Sequence, residues 1–322
     1  MSLLTSRYFA HALLMLTAFI WGVSFVFQTT GMRDLGAFGF QFYRFLAGAF
    51  ALLPFAIMEY RRNPFWKQRQ QISQKQVLWG GLGLGVFMFV GSSLQQIALH
   101  TTSVANAAYL TTLYVPLVPV FGLIFFGIHL PWMRWMAVVV FMIGSWFMTG
   151  TDLQTITFGD WLVISSAIFW AFHIMLVGAL VGLTKMPFQL AFVQTILTAI
   201  FSLLVYVVID QIDLMLAYAV LPDILFAGVL SIALGFTLQL IAQQNCSSSA
   251  AAILLSLEGV FAALAGWVML KQDMTLLAIF GAGLIMVAIL LVELAPARQT
   301  SNQTSNQTAA SDKIDASDKI DA

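Results

Sequence analysis

Ten stretches of roughly 20 apolar residues, joined by short polar connections, dominate this sequence. They run approximately over 13–31, 38–58, 77–99, 103–126, 132–150, 159–180, 187–209, 222–243, 248–270 and 275–294. At about 1.5 Å per residue, a helix of about 20 residues crosses a bilayer core of about 30 Å. Inside hydrocarbon each backbone N–H and C=O must find its partner within the protein, so helices and closed barrels are the available solutions. The segments lack period-two alternation and are rich in Leu, Ala, Phe and Gly, which selects helices over strands. Composition agrees, with 60% hydrophobic and only 9% charged residues and a mean hydropathy of +0.91. The expected fold class is an all-α membrane protein with ten transmembrane helices. The first segment exceeds a typical signal-peptide core and no A-x-A-like site follows it, so it is read as helix one.

Basic and acidic residues balance at 14 each, which gives no reason to expect a nucleic-acid partner. The expected partners are a small-molecule substrate and the lipid bilayer. The single cysteine, Cys246, excludes an intramolecular disulfide and cannot alone form a zinc site or a CxxC pair. Orientation follows from the basic residues. A cytoplasmic N-terminus places Arg7, Arg61, Arg62, Lys67, Arg69, Lys75, Arg134, Lys185, Arg298, Lys313 and Lys319 inside, Arg33 and Lys271 outside, and Arg44 within a span. Both termini are then cytoplasmic, and the expected compartment is a bacterial inner membrane. The polar, internally duplicated segment TSNQTSNQTAASDKIDASDKIDA reads as a disordered tail.

The chain repeats itself. LTAFIWGVSFV around Trp21 resembles SSAIFWAFHIM around Trp170, and SLQQIALHTTSVANAAYLTTLYVPLVPVFG resembles TLQLIAQQNCSSSAAAILLSLEGVFAALAG, with Gln95 opposite Gln239 and Gly122 opposite Gly266. Five spans fall in each copy, so the second copy enters the membrane from the opposite side, giving two inverted five-helix repeats. Such repeats are a signature of secondary transporters. The expected organisation is a cytoplasmic N-terminus over 1–12, repeats over 13–150 and 151–294, and the tail over 295–322.

TAFIWGVSFV, YRFLAG, TTSVANAAYLTTLYVPLVPVFG and AAAILLSLEGVFAALAGWVML together resemble the EamA-type transporters of the drug/metabolite transporter superfamily, over residues 10–294. The resemblance implies a central cavity lined by helices of both halves and movement of amino acids, nucleobases, vitamins or other small metabolites, chiefly outward. Two departures stand out: the acidic residue that closes helices four and nine in this family is replaced near His129 and Gln272, and Gly259 stands where a proline often follows the helix-nine glutamate. The second predicts a differently bent helix nine.

Glu258 lies near the centre of its span, where a charge costs at least about 2.5 kcal/mol, so it should face protein or a water-filled cavity. On a continuous helix it shares a face with Ala251, Leu255, Ala262 and Ala265, with Ser256 almost opposite. It reads either as a proton or substrate site or as an interhelical hydrogen-bonding group. His173 follows Ser166 and Trp170 at helical spacing and reads as cavity lining or as a packed histidine. No second metal ligand stands at i+3 or i+4 on that helix, so no metal site is expected there. Trp21, Ser24 and Gln28 form a matching stripe on helix one, and Asn106 with Tyr109 another on helix four. Aromatic faces beside a few amides suit a small organic ligand, and single polar residues also join membrane helices. Gln95 and Gln239 read as symmetry-related gate contacts or as ordinary interhelical amides. Arg44 can snorkel outward or meet a substrate carboxylate. Pro116 and Pro119 predict a kink in helix four.

GGLGLG at Gly80–Gly85 lies within an apolar span and reads as close helix packing rather than as a dinucleotide loop. No nucleotide-binding motif or other cofactor signature is present. An intramembrane enzyme would need a nucleophile with a base or paired acids at depth, and away from their end residues the ten segments offer one Glu, no Asp and one His. The expected activity is secondary transport, outward, of a small metabolite such as an amino acid; a lipid-carrier flippase on the same fold is the competing reading.

Overall fold

The computed structural model describes residues 7–62, 74–149, 157–209, 212–271 and 275–294. The expected tail lies outside them. The helices, in chain order, are α1 (Arg7–Leu35), α2 (Ala37–Arg62), α3 (Gln74–Ala98), α4 (Val104–Phe126), α5 (Trp132–Thr149), α6 (Phe158–Thr184), α7 (Pro187–Ile209), α8 (Leu221–Gln243), α9 (Ser248–Leu270) and α10 (Leu276–Leu294), with a short helix at Leu214–Ala219 before α8. Eight of them are long and apolar enough to cross a membrane. The remaining two, α5 and α10, have shorter apolar runs at Trp132–Met148 and Leu276–Val292.

Several helices outrun the apolar segments that mark them. α1 extends over Arg7–Leu35 against an expected 13–31, and α2 reaches Arg62 against 58. Hydropathy marks the part of a helix that sits in hydrocarbon, whereas backbone bonding continues past it. Polar residues beyond the apolar segments therefore lie on helices, His11 on α1 and Glu59 on α2, and Asp160 and Asp223 stand in the first turns of α6 and α8. Asp160 closes a capping box with Thr157 at the start of α6. Glu59 accepts the Gln189 backbone N–H of α7 at 2.9 Å.

Large apolar side chains such as Phe50, Trp79, Phe126, Trp132 and Leu276 point outward, as a lipid-facing surface requires. The interior carries small and hydroxyl residues that let backbones approach. A Cβ on Gly48 of α2 would stand 2.9 Å from the Gly228 carbonyl of α8, and one on Gly144 of α5 would stand 2.8 Å from the Gly281 carbonyl of α10. Gly80, Gly83 and Gly85 of α3 pack against Leu180, Leu176 and Leu197, the close packing expected of GGLGLG.

The packing is symmetric. α2 lies along α7 and α5 along α10; α3 packs on α6 as α8 does on α1; α4 meets α6 as α9 meets α1; α3 meets α7 as α8 meets α2. Exchanging the first five helices for the second five maps each of these contacts onto itself or onto another of them.

Two helices are interrupted at matching places. α4 is regular from Val104 to Thr111, loosens at Thr112 and Leu113, and resumes at Tyr114. Pro116 accounts for this, because its ring excludes the carbonyl four residues earlier, that of Thr112. α9 loosens at Ser256, between Leu255 and Leu257. Thr112 and Ser256 are 144 positions apart, the offset that also relates Gln95 to Gln239. Each hydroxyl turns back onto the carbonyl three residues before it, Thr112 Oγ1 onto Tyr109 and Ser256 Oγ onto Ile253, both at 2.6 Å. α9 therefore loosens without a proline, and the residues expected to share its inward face, Ala251, Leu255, Glu258, Ala262 and Ala265, are all buried. The starts also match: Ser103 and Ser247 each cap their helix by accepting a backbone N–H three residues on, at 3.2 and 3.3 Å. In α8, Phe226–Gly235 winds with the wider i to i+5 bonding, a form that recurs at functional sites.

Replacing Gly48 with Val should cost about 1–3 kcal/mol, because the Gly228 carbonyl and the Ile232 side chain cannot both withdraw. Gly182→Ala, where nothing lies within 4 Å of a new Cβ, is the matched control. Thermal unfolding of both variants in detergent checks this; equal melting temperatures would refute the contact.

Candidate solute site

Helices α1, α2, α3, α4, α6, α8 and α9 surround a central cavity. Its floor is aromatic. Trp21 of α1 and Trp170 of α6, the repeat-related tryptophans, both lie against Phe236 of α8, at ring-centroid distances of 4.6 and 6.2 Å. The His173 ring meets Phe236 and Trp170 edge-on, at 5.7 Å each. Trp21 is held by Nε1–H donating to the Ser231 carbonyl at 3.0 Å, within the widened stretch of α8. Gly235 makes room, since a Cβ there would lie 2.5 Å from Trp21 Nε1.

Glu258 and Tyr114 form the second feature. Each stands two residues beyond its helix break, and the two are repeat counterparts, again 144 positions apart. The Tyr114 hydroxyl donates to Glu258 Oε1 at 2.9 Å, and both side chains are buried. Gly22 of α1 lets α9 approach, because a Cβ there would lie 2.7 Å from the Glu258 carbonyl.

Polar groups fill the remaining wall. Gln95 donates to Thr111 Oγ1 at 2.7 Å, and Gln239 donates to Gln243 Oε1 at 2.9 Å. His173 Nε2–H donates to Gln194 Oε1 at 3.0 Å, leaving Nδ1 as a free acceptor. Arg44 of α2 is only 3% exposed. Its guanidinium lies 5.2 Å from the Phe45 ring and 5.8 Å from the Phe40 ring, and its Nε finds no hydrogen-bond partner.

The cavity is narrow, with about 50 Å³ open to the centre of a water-sized sphere, room for a few waters. A second hollow of about 460 Å³, between α3, α4, α6 and the start of α9, is larger but almost wholly apolar, with Phe87, Val118, Phe126 and Phe172 among its walls and Ser248 and Ser249 as its polar edge. Chemistry rather than size makes the central cavity the candidate site, because a specific ligand needs convergent polar groups.

Of the residues singled out in the sequence, Trp21, Gln28, Arg44, Gln95, Trp170, His173, Gln239 and Glu258 line the central cavity. Ser24, Asn106 and Tyr109 stand outside its wall. Ser24 is buried beside Gln28, which donates to it at 3.4 Å. Asn106 is half-buried in the first turn of α4, and Tyr109 lies under the α4 break, its Cα 3.9 Å from a Cβ built on Gly259. Ser166 bonds the Val163 carbonyl of its own helix. Arg44 does not snorkel. Gln95 and Gln239 do not bond to each other. Sequence reasoning passed over Tyr114, Phe236, Ser231 and Thr111. Tyr114 was within reach, since the register that pairs Gln95 with Gln239 also pairs Tyr114 with Glu258. Among the described residues no group of three His, Cys, Asp or Glu side chains could hold a metal ion.

Comparison with known proteins adds to this geometry. The chain is 28% identical over 289 residues, 89% of its length and 87% of the relative's, to an Archaeoglobus fulgidus protein named as an uncharacterized transporter. A second protein of that organism with the same name is 30% identical over 178 residues, 52% of this chain and 56% of the relative. A crystal structure of a protein superposes with a TM-score of 0.69 over 90% of this chain and 98% of its own, at 14% identity, which shows a shared fold. The EamA-like transporter family profile matches twice, at residues 8–150 and 157–294. With both copies of the repeat matched across nearly the whole of its helical length, this chain belongs to the EamA-like transporter family.

Proposed function

We propose that this protein is a secondary transporter that moves a small organic solute across a bacterial inner membrane, in the outward direction, by alternating access between two inverted five-helix repeats. The observation that carries the reading is the central cavity itself, where repeat-related residues of both halves meet: Trp21 with Trp170, Gln95 with Gln239, Tyr114 with Glu258. Ten crossings are supported by α5 and α10, which at about 1.5 Å per residue are close to the thickness of a thin bilayer. The inverted relation is supported by helix directions. α8 runs against α1, from the Thr30–Asp223 bond through Phe27–Phe226 to Trp21–Ser231 and Thr17–Gly235. It runs along α6, from Trp170–Phe236 to Ile174–Gln243. Repeat mates α1 and α6 therefore point in opposite directions.

Both ends of the cavity are pinched. At one end Phe27 stacks on Phe226 at 4.0 Å and Thr30 donates to Asp223. At the other, Gln239 bonds Gln243, whose amide donates to the Ile174 carbonyl at 2.9 Å, and Ser248 closes over Gly178. Alternating access requires these two closures to open in turn. Coupling of the two closures to a proton gradient through Glu258 is supported by its bond to Tyr114, which ties α4 to α9 just past their breaks. A proton moving through the full potential supplies about 2.3 kcal/mol per 100 mV. The large apolar hollow beside α4 and α6 favours a second reading, a flippase whose substrate carries a hydrocarbon chain. Proteoliposomes loaded with labelled amino acids and other metabolites, assayed beside lipid-headgroup accessibility, separate the two.

If Glu258 couples transport to protons, Glu258→Gln should abolish uptake driven by a pH gradient while solute exchange at equal pH continues. Full gradient-driven uptake in that variant would end the coupling role. Tyr114→Phe should lower stability by about 1 kcal/mol, through the lost hydrogen bond, and leave gradient-driven uptake measurable. Topology is open to a separate check. A reporter fused after Arg298 should be cytoplasmic and one inserted near Asp213 external, and a periplasmic reporter after Arg298 would overturn the orientation.

A further inference from the structure

We infer that Arg44 is the seat of a carboxylate on the transported solute, whose apolar body lies on the Trp21–Phe236–Trp170 floor; the inference rests on reading the cavity as a solute site. A guanidinium presents five N–H donors in a planar fork. Buried in the body of a helical bundle, such a cation is ordinarily paired with an acid or with carbonyl oxygens, because removing it from water unpaired is costly. Arg44 has neither. Among the described residues no carboxylate bonds to it, its Nε is without a partner, and its neighbours are the Phe40 and Phe45 rings. Those rings attract the charge through their faces but accept no conventional hydrogen bond.

The one acid on the cavity wall, Glu258, takes its hydrogen bond from Tyr114. The cation thus remains uncompensated on a wall that already holds a second unspent donor, the indole Nε1–H of Trp170. Symmetry sharpens the point. Phe42 and Arg44 on α2 match Phe192 and Gln194 on α7, at an offset of 150, and Ser24 on α1 matches His173 on α6, at the offset of 149 that relates the tryptophans. In the second half the pair is complete, with Gln194 bonded to His173 at 3.0 Å. In the first half the amide is replaced by a cation and the imidazole by a serine, whose hydroxyl is turned to Gln28. The acceptor that satisfies one half is missing from the other, on the cavity side. A carboxylate fits the gap: it is planar, carries the opposite charge and can take two parallel N–H bonds from the fork.

The test uses the purified full-length protein and pairs of probes that differ only in this group, 3-phenylpropionate against 3-phenylpropionamide and phenylalanine against phenylalaninamide. Thermal-shift titration and transport in proteoliposomes are read in parallel. Each acid should raise the melting temperature of the wild type and its amide should not. Arg44→Lys, which keeps the charge and loses the fork, should weaken acid binding about tenfold or more, and Arg44→Gln should abolish it. If Arg44→Gln does not fold, the acid-to-amide comparison on the wild type and the Arg44→Lys variant still decide. Equal binding of acids and amides, binding by none of the acids, or equal stabilisation by chloride alone would each overturn the inference. Transport of the amides with no preference for the acids would overturn it while the transporter reading stands. Arg44-dependent acid binding without transport of any solute would uphold it and refute the transporter reading.

Discussion

A carboxyl group in the middle of a helical membrane bundle must be met by a donor, and here the donor comes from the other half of the molecule. The Tyr114–Glu258 hydrogen bond joins the two residues that follow the two helix breaks, so one contact ties together the bends of α4 and α9. The breaks exist because a backbone in hydrocarbon can leave regular helix only where other groups take over its polar atoms. The Thr112 and Ser256 hydroxyls bond carbonyls at these points, and Gly22 brings α1 against the Glu258 carbonyl. Glu258 and Tyr114, just past the breaks, line the cavity together with the aromatic floor.

The repeat supplies the scaffold, and departures from it supply the chemistry. Residues that keep the same character in both copies are structural at base: the Ser103 and Ser247 caps, the Thr112 and Ser256 bends, the tryptophans that frame Phe236. Residues that differ between copies are the ones with polarity to spend. Tyrosine faces glutamate, arginine stands where the other copy has glutamine, and serine where it has histidine. A perfectly symmetric cavity would present equal groups to both sides of a ligand, and these three replacements give the site a cationic wall and an acidic one.

Much of this was legible in the sequence because a bilayer imposes so strong a rule. The apolar segments located the helices, the repeat gave the register, and the lone midspan glutamate and arginine marked the cavity wall. A departure in α9 was expected from Gly259, but its place at Ser256 was not legible, since no proline announces it and a hydroxyl loosens the helix there through a local bond. Helix ends were misplaced by several residues at Arg7 and Arg62 because polar residues continue a helix outside hydrocarbon. Asn106 and Tyr109 were assigned to the cavity on a straight-helix wheel. Of α4, it is Thr111 at the interruption and Tyr114 just after it that reach the cavity, and Asn106 and Tyr109 do not.

A cavity with room for a few waters cannot hold an organic solute unless walls move, and the contacts differ in how readily they permit that. Where backbones touch through glycine, as Gly48 does on Gly228 and Gly144 on Gly281, a shift of even an ångström drives main-chain atoms together or opens a void. The two end closures are of another kind. Phe27 on Phe226 is a ring stack that separates by rotamer changes, and Gln243 on the Ile174 carbonyl is one amide that can exchange partners with water or ligand. α8 carries one side of both closures, and its wide-wound stretch lies between them. A helix with looser bonding at its centre can move one end without carrying the other. In the proposed alternating-access cycle, α8 would be the element whose two ends open separately.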